Sequence, residues 1–366
     1  MATSRHTSRH RADPADPLSW AELVACAELG ASSAQARCAR RGSPLRVEDP
    51  SFAAAAEHHG LVALAAARLD PRAKDPLSQE LRRRAAFHSV RNEVRTEALI
   101  SLLEALRERG IRAAPIKGPL LAHLYYGSIE LRPFTDVDIL VEPEDVPAAV
   151  RTLVGLGGIV SGEAFESGPR SLHAVTVVGP GELLTEIHAA LGPRFFRLPL
   201  PIFEVLGRAT PVPFGRGSVL ALDPADLLLF LCHHGARHEW ARLIWISDVA
   251  RIAHERPDVV ARTLARAEAV GCRRLVLLGL ALGRRLGAEL DGAVVREADH
   301  EPAIARLMHR VDQLLRVPGP VGILSKYAFR FDARERLRDR LRDGLLLTAF
   351  VTEPMVDSAR AFVSRR

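Results

Sequence analysis

Two aspartates spaced two apart carry the clearest chemistry in this chain. Thr135-Asp136-Val137-Asp138-Ile139-Leu140-Val141 reads as a strand. Alternate strand side chains share a face, so Asp136 and Asp138 present carboxylates about 6–7 Å apart on one side. Val137 and Ile139 point the other way, into a core. Paired carboxylates repel unless something positive sits between them. A hard ion such as Mg²⁺, held by one or two carboxylates and by substrate phosphates, is the natural neutraliser. Taken alone, Asp-x-Asp also fits a solvated strand edge. Glu186 changes the balance. It lies in a second apolar strand, Leu183-Leu184-Thr185-Glu186-Ile187-His188, and could complete a three-carboxylate cluster. His188 falls two residues later on the same strand face, as a ligand, a proton donor to a phosphate or a hydrogen-bond partner of Glu186.

Other residues group around these acids. Lys117-Gly118 follows a short apolar strand, Ile111–Ile116, and precedes one or two helical turns over Pro119–Tyr126. A strand-to-helix turn of this kind can hold phosphates through backbone N–H groups and a lysine. Lys117 is one of only three lysines, with Lys74 and Lys326, among 50 basic residues. A compact ammonium suits phosphate as a point charge. Arg132, four residues before Asp136, fits a phosphate contact, a brace for the aspartates or a structural salt bridge. His234 and His238 share a helix face at i and i+4. They fit either polar lining for an acceptor or base, or a buried structural pair. The zinc-protease pattern His-Glu-x-x-His fails at Arg242. Asp248 sits among apolar residues, as a further candidate for the acceptor or base site, with Arg251 or His234 as candidate partners. Trp240 and Trp245 read as core. His58-His59 and the arginine runs at Arg82–Arg84 and Arg334–Arg342 read as solvated helix faces. The sequence contains neither Gly-x-Gly-x-x-Gly nor a Walker A loop.

The elements that must position these residues follow from periodicity. Helical spacing covers Trp20–Leu29, Ser51–Leu69 and Ser78–Arg109, with Gly110 as a C-terminal stop. Pro143 and Pro147 lie near the start of a helix that runs through Leu156. His173–Val178 and Leu183–Ala189 read as a hairpin across Pro180-Gly181. A Pro-rich stretch runs from Pro193 to Pro213. Asp223-Pro224 starts a second helical region. Its helices span Asp226–His238, Arg242–His254, Arg256–Val270, Arg273–Leu286, Ile304–Leu315, Ala333–Phe350 and Met355–Val363.

Length and composition bound the rest. The chain has 366 residues, 48% hydrophobic and 26% charged, with a net charge of +6. That predicts a globular protein of two or three domains. The mild basic excess is almost all arginine and argues weakly for nucleic acid. No apolar run approaches the ~18–20 residues of a membrane span. The polar N-terminus is no secretory signal and reads as a disordered tail. Cys26, Cys38, Cys232 and Cys272 show no paired spacing, which fits reduced thiols in a cytoplasmic protein.

Lys117, Gly118, Tyr126, Arg132, Asp136, Asp138, Leu140, Val141 and then Glu186-Ile187-His188 together resemble the uncharacterised bacterial nucleotidyltransferase family. That family belongs to the DNA polymerase β-like nucleotidyltransferase superfamily. The resemblance continues through Leu228–Cys232, His234-Gly235-Ala236, His238, Trp240 and Trp245 to Asp248, covering roughly Ala98 to Ala253. It implies an α+β fold, a small mixed sheet with helices, flanked by helical regions. The expected division is a tail (1–18), a helical region (19–97), the catalytic core (98–215) and a C-terminal helical domain (216–366).

The resemblance also implies transfer of a nucleoside monophosphate from an NTP, such as ATP, to a hydroxyl of a small-molecule, peptide or protein acceptor, with release of pyrophosphate. Asp136, Asp138 and Glu186 would hold Mg²⁺ or Mn²⁺, and Glu186 would activate the acceptor. Lys117, Gly118, Arg132 and His188 would contact the nucleotide. The wider superfamily carries Gly-Ser or Gly-Gly before its acidic pair. Here both Lys117-Gly118 and Gly127-Ser128 are candidates for that loop. The alternative function is a non-catalytic nucleotide-binding or toxin–antitoxin-type regulator that keeps the fold. The chain has no dense basic and aromatic track, which argues against a nucleic-acid partner.

Overall fold

The computed structural model describes residues 17–29, 49, 51–161, 174–179, 183–316, 322–346 and 348. Four helices come first: α1 (Pro17–Ala27), α2 (Phe52–His59), α3 (Val62–Ala67) and the long α4 (Pro76–Glu108). Asp75 caps α4 by accepting a hydrogen bond from the Ser78 amide, with Pro76 in the first turn. The single helix expected over 51–69 is two, because Gly60 takes a left-handed conformation and ends α2. Pro17 and Leu18, expected in the tail, open α1. The rest of that tail lies outside the described residues.

The α/β section follows. Its elements are β1 (Ala113–Pro115), α5 (Pro119–Tyr126), β2 (Asp136–Val141), α6 (Val146–Gly155), β3 (Ile159–Val160), β4 (Ala174–Gly179) and β5 (Leu183–His188). The sheet order is β1-β2-β5-β4-β3. β2 and β5 run parallel, and the other neighbouring pairs run antiparallel. The sheet is therefore mixed, and its one parallel pair lies at the centre.

That pair separates two environments. Val137, Ile139, Val141, Val175, Val177 and Ile187 point to one face, where they pack with α4 and α6 residues such as Leu102, Leu106, Val150 and Leu153. Each such apolar side chain contributes about 1.5–3 kcal/mol on burial. The other face carries Asp136, Asp138, Glu186 and His188 and looks toward the C-terminal helices.

The Pro-rich stretch holds more structure than its composition suggests. It contains α7 (Ile202–Arg208) and β6 (Thr210–Phe214), and β6 pairs with β7 (Gly217–Ala221) as a hairpin. Pro211 and Pro213 alternate along β6 in a two-stranded sheet, where missing N–H donors are tolerated at the edge. Next come α8 (Pro224–Arg237), α9 (Leu243–Glu255), α10 (Pro257–Val270), α11 (Arg273–Arg285), α12 (Gly292–His300), α13 (Pro302–Arg316) and α14 (Ile323–Ala333). α12 and α14 were not anticipated. The helix expected over 333–350 begins only at residue 337, after α14 ends at Ala333. The expected helix Met355–Val363 lies outside the described residues. α8 is buried along nearly its whole length and packs with α9, α10 and α11. No helix among the described residues is long and apolar enough to cross a membrane.

Candidate active site

The site is built by register. Parallel pairing sets Asp138 directly beside Glu186, Asp136 beside Leu184 and Leu140 beside His188. Neighbouring strands lie about 4.8 Å apart, so two acids meet on one face without any turn to place them. Asp138 is 1% exposed, His188 is buried and Glu186 is half-buried. His188 Nε2 stands 2.9 Å from Asp138 Oδ1 and 3.2 Å from Glu186 Oε2. Lys117 Nζ lies 2.8 Å from Asp138 Oδ2 and 3.5 Å from Asp136 Oδ2.

The charges explain how these groups coexist. Burial works against the Lys117 ammonium, but Asp138 and then Asp136 outweigh it, so its pKa is raised. Burial likewise opposes the His188 imidazolium. Hydrogen bonds to Asp138 and Glu186 prevail, and that pKa is raised too. Burial would neutralise Asp138, yet Lys117 and His188 hold its carboxyl well below the usual range. The His188 hydrogen bond lowers Glu186 against the effect of its burial.

The acidic cluster differs from the one expected. Asp138, Glu186 and His188 each offer a ligand atom, and these atoms lie within 4.8 Å of one another. Asp136 is not in that group. It sits one pleat nearer the start of β2 and joins the cluster through Lys117. Asp138 Oδ2 is buried and is paired with Lys117 Nζ at 2.8 Å. Two carboxylates whose ligand atoms converge this closely fit a hard divalent cation, and the His188 nitrogen extends the fit to Mn²⁺.

Two predicted site residues lie elsewhere. Arg132, expected at the nucleotide, donates from Nε to Asp248 Oδ1 at 2.7 Å and from Nη2 to Asp248 Oδ2 at 2.8 Å. Tyr126 Oη also donates to Asp248 Oδ1, at 2.7 Å. Asp248 is therefore filled by Arg132 and Tyr126, rather than by Arg251 or His234. This buried knot ties the loop before β2 to α9. Asn92 adds hydrogen bonds to the Ile129 and Arg132 carbonyls, and Arg95 one to Phe134. The acidic strand thus enters the sheet from a loop pinned by α4 and α9. Gly118 caps α5 at φ 67°, ψ −129°, a conformation that excludes other residues without strain. Gly127 ends α5 in a left-handed turn.

The opposite wall comes from α8 and α9. A cleft of about 350 Å³ is lined by Lys117, Asp136, Asp138, Glu186 and His188 on the sheet side and by His234, Arg237, His238, Arg242 and Trp245 on the helical side. That volume is in the range of small-molecule sites. The His234 and His238 rings lie 4.8 Å apart, and each lies 5.3–5.4 Å from the Trp245 ring. Burial, and then Lys117, keep His234 well below its usual pKa, so its imidazole is neutral.

Several of these residues depart from the sequence reading. Trp245 lines the cleft, whereas Trp240 is core as expected. Arg237 was missed, although it lies three residues after His234 on the same helix face. His59 is buried, not solvated, and its Nδ1 accepts from the Leu243 amide at 3.3 Å.

The back of the cleft is braced from the C-terminal region. His233 stacks on Phe196 at 4.8 Å, with Nε2 2.9 Å from the Phe196 carbonyl oxygen. Gly192 leaves no room for a side chain there: a Cβ would lie 2.6 Å from His233. Arg334, expected in a solvated run, is 1% exposed. Its guanidinium lies 4.5 Å from the Phe196 ring and donates to Asp343 and to the Arg197 carbonyl.

Comparison with known proteins agrees with this architecture. No curated protein matches the chain. A family model described as "Uncharacterised nucleotidyltransferase" matches residues 46–287, which include the whole sheet and α8 to α11. Well over half of the chain is covered, and the chain belongs to the uncharacterised nucleotidyltransferase family.

Proposed function

We propose that the cleft transfers a nucleoside monophosphate from an NTP to a hydroxyl acceptor and releases pyrophosphate. The observation that carries this reading is the parallel register of β2 and β5, which brings Asp138 and Glu186 together on one face beside His188. Asp138 and Glu186, with Asp136 at the rim, would hold Mg²⁺ or Mn²⁺, and His188 would steady both inner carboxylates. The bound cation supplies charge neutralisation at the phosphates and a lowered pKa for the acceptor hydroxyl. Glu186, the more open of the two paired acids, takes the acceptor proton as the acceptor oxygen bonds to the α-phosphorus. The bond from that phosphorus to the bridging oxygen breaks, and pyrophosphate carries the electron pair away. His234, His238 and Trp245 offer a neutral aromatic wall for the nucleobase or the acceptor. The test is incubation with each labelled NTP, Mg²⁺ or Mn²⁺ and a host extract, read by mass for an added nucleoside monophosphate. Transfer that survives Asp136→Asn with Asp138→Asn would sink the reading.

One observation favours a second reading. Lys117 already neutralises the acids from within the chain. A protein that binds nucleotide as a regulator, without turnover, would also carry such a site. Tight NTP binding with no transfer to any acceptor would support it.

A further inference from the structure

We infer that Arg237 is the residue that grips the β- and γ-phosphates and then the departing pyrophosphate. The inference rests on the transferase reading and names the chemistry of one wall of its cleft. A cleft that binds a polyphosphate beside carboxylates needs a cation that is not already engaged. Lys117 is held by Asp138 and Asp136. Arg132 is locked on Asp248 in both prongs. Arg242 is exposed, with its guanidinium 5.8 Å from the Trp245 ring.

Arg237 stands apart from these three. Its side chain lines the cleft opposite the acids and makes no ion pair among the described residues. Burial disfavours its charge, and Glu186 and Asp138 only partly offset this from across the gap. A half-buried guanidinium without a counter-ion is a costly arrangement. An anion entering between it and the acids would relieve that cost. A guanidinium fork holds two phosphate oxygens at once, which a point-charge ammonium does not. The backbone at this position has a separate task, since the Arg237 carbonyl accepts from Arg330 at 3.2 Å. Side-chain substitution leaves that bond in place.

The experiment is calorimetric titration of the full chain with Mg²⁺-pyrophosphate, and with matched NTP and NMP pairs of the four nucleobases. Arg237→Gln should weaken pyrophosphate and NTP at least about thirtyfold and leave NMP affinity within about twofold. Arg237→Lys, which keeps the charge and loses the fork, should fall between. It serves as the readout if the glutamine variant does not fold. Unchanged pyrophosphate affinity in Arg237→Gln overturns the inference, as does an equal loss for NMP and NTP. Wild-type protein that binds neither pyrophosphate nor any NTP overturns the transferase reading itself. Wild-type transfer with an indifferent Arg237→Gln overturns only the assignment of Arg237.

Discussion

Asp138 and Asp248 are both 1% exposed, and both face a basic residue from another element. Asp248 receives both prongs of Arg132 and the Tyr126 hydroxyl, so its oxygens are filled with good geometry. Asp138 is met by one ammonium and one imidazole, a single contact on each oxygen, and borders a cleft. Equal burial therefore hides opposite situations. A closed bidentate pair joins parts of the fold. A carboxylate with residual acceptor capacity and an open side is where a ligand is accommodated.

Substitutions can break or sharpen this contrast. The largest expected effect is at Asp138. Asp138→Asn should reduce nucleotide transfer at least about 10³-fold, since several kcal/mol of charge stabilisation depend on this carboxylate. Circular dichroism should show an intact fold. If Asp248→Asn lost activity equally while folded and stable, the distinction between the two aspartates would collapse. Instead, Asp248→Asn should lower unfolding stability by about 3–5 kcal/mol, because Arg132 is left buried without its counter-ion. Urea titration reads that change.

Lys117 gives a finer test. A unit charge about 4 Å away is worth about 4 kcal/mol at an effective dielectric of 20. Lys117→Met should therefore tighten Mn²⁺ binding to the nucleotide-free protein at least about tenfold, measured by electron paramagnetic resonance. Equal Mn²⁺ affinity would mean that Lys117 does not compete for the carboxylates. The smallest effect is at Glu255, whose acid is governed mainly by burial, with Arg251 opposing, and whose pKa is raised to about 7. A carboxyl raised in the fold contributes stability below its unfolded pKa, near 4.5, and that stability is lost as pH rises through 7. The Tm of Glu255→Gln should lack this component of the fall between pH 4.5 and 7. An unchanged pH profile would remove Glu255 as the reference for an acid without a strong partner.

The acidic face was legible from sequence because strand alternation is local: Asp136 and Asp138 had to share a side wherever the strand went. Periodicity placed strands between two helical regions, and the family resemblance supplied the α+β class. Which strand lies beside β2 was not legible, since pairing with β5 is a long-range fact. The inner cluster for that reason includes His188 and leaves Asp136 at the rim. Arg132 and Asp248 are 116 residues apart, and nothing in either local segment announces the other. From sequence, Arg132 reads toward the nucleotide or a salt bridge of unknown partner, and Asp248 toward Arg251 or His234. Arg237 was hidden differently. In a chain with 50 basic residues, one more arginine on a helix carries no signal until its neighbours show that it lacks an anion.

The brace behind the cleft bears on where this protein can be cut. The family match stops at residue 287, yet Arg334 reaches back to the Arg197 carbonyl and covers Phe196, on which His233 stacks. A chain ended at the boundary of the match would open that buried aromatic to water and release the histidine wedged against Gly192. The matched segment is thus shorter than the set of residues that pack behind the cleft. A fragment chosen by alignment alone would keep every acidic residue and still lose the back wall of the cleft they face.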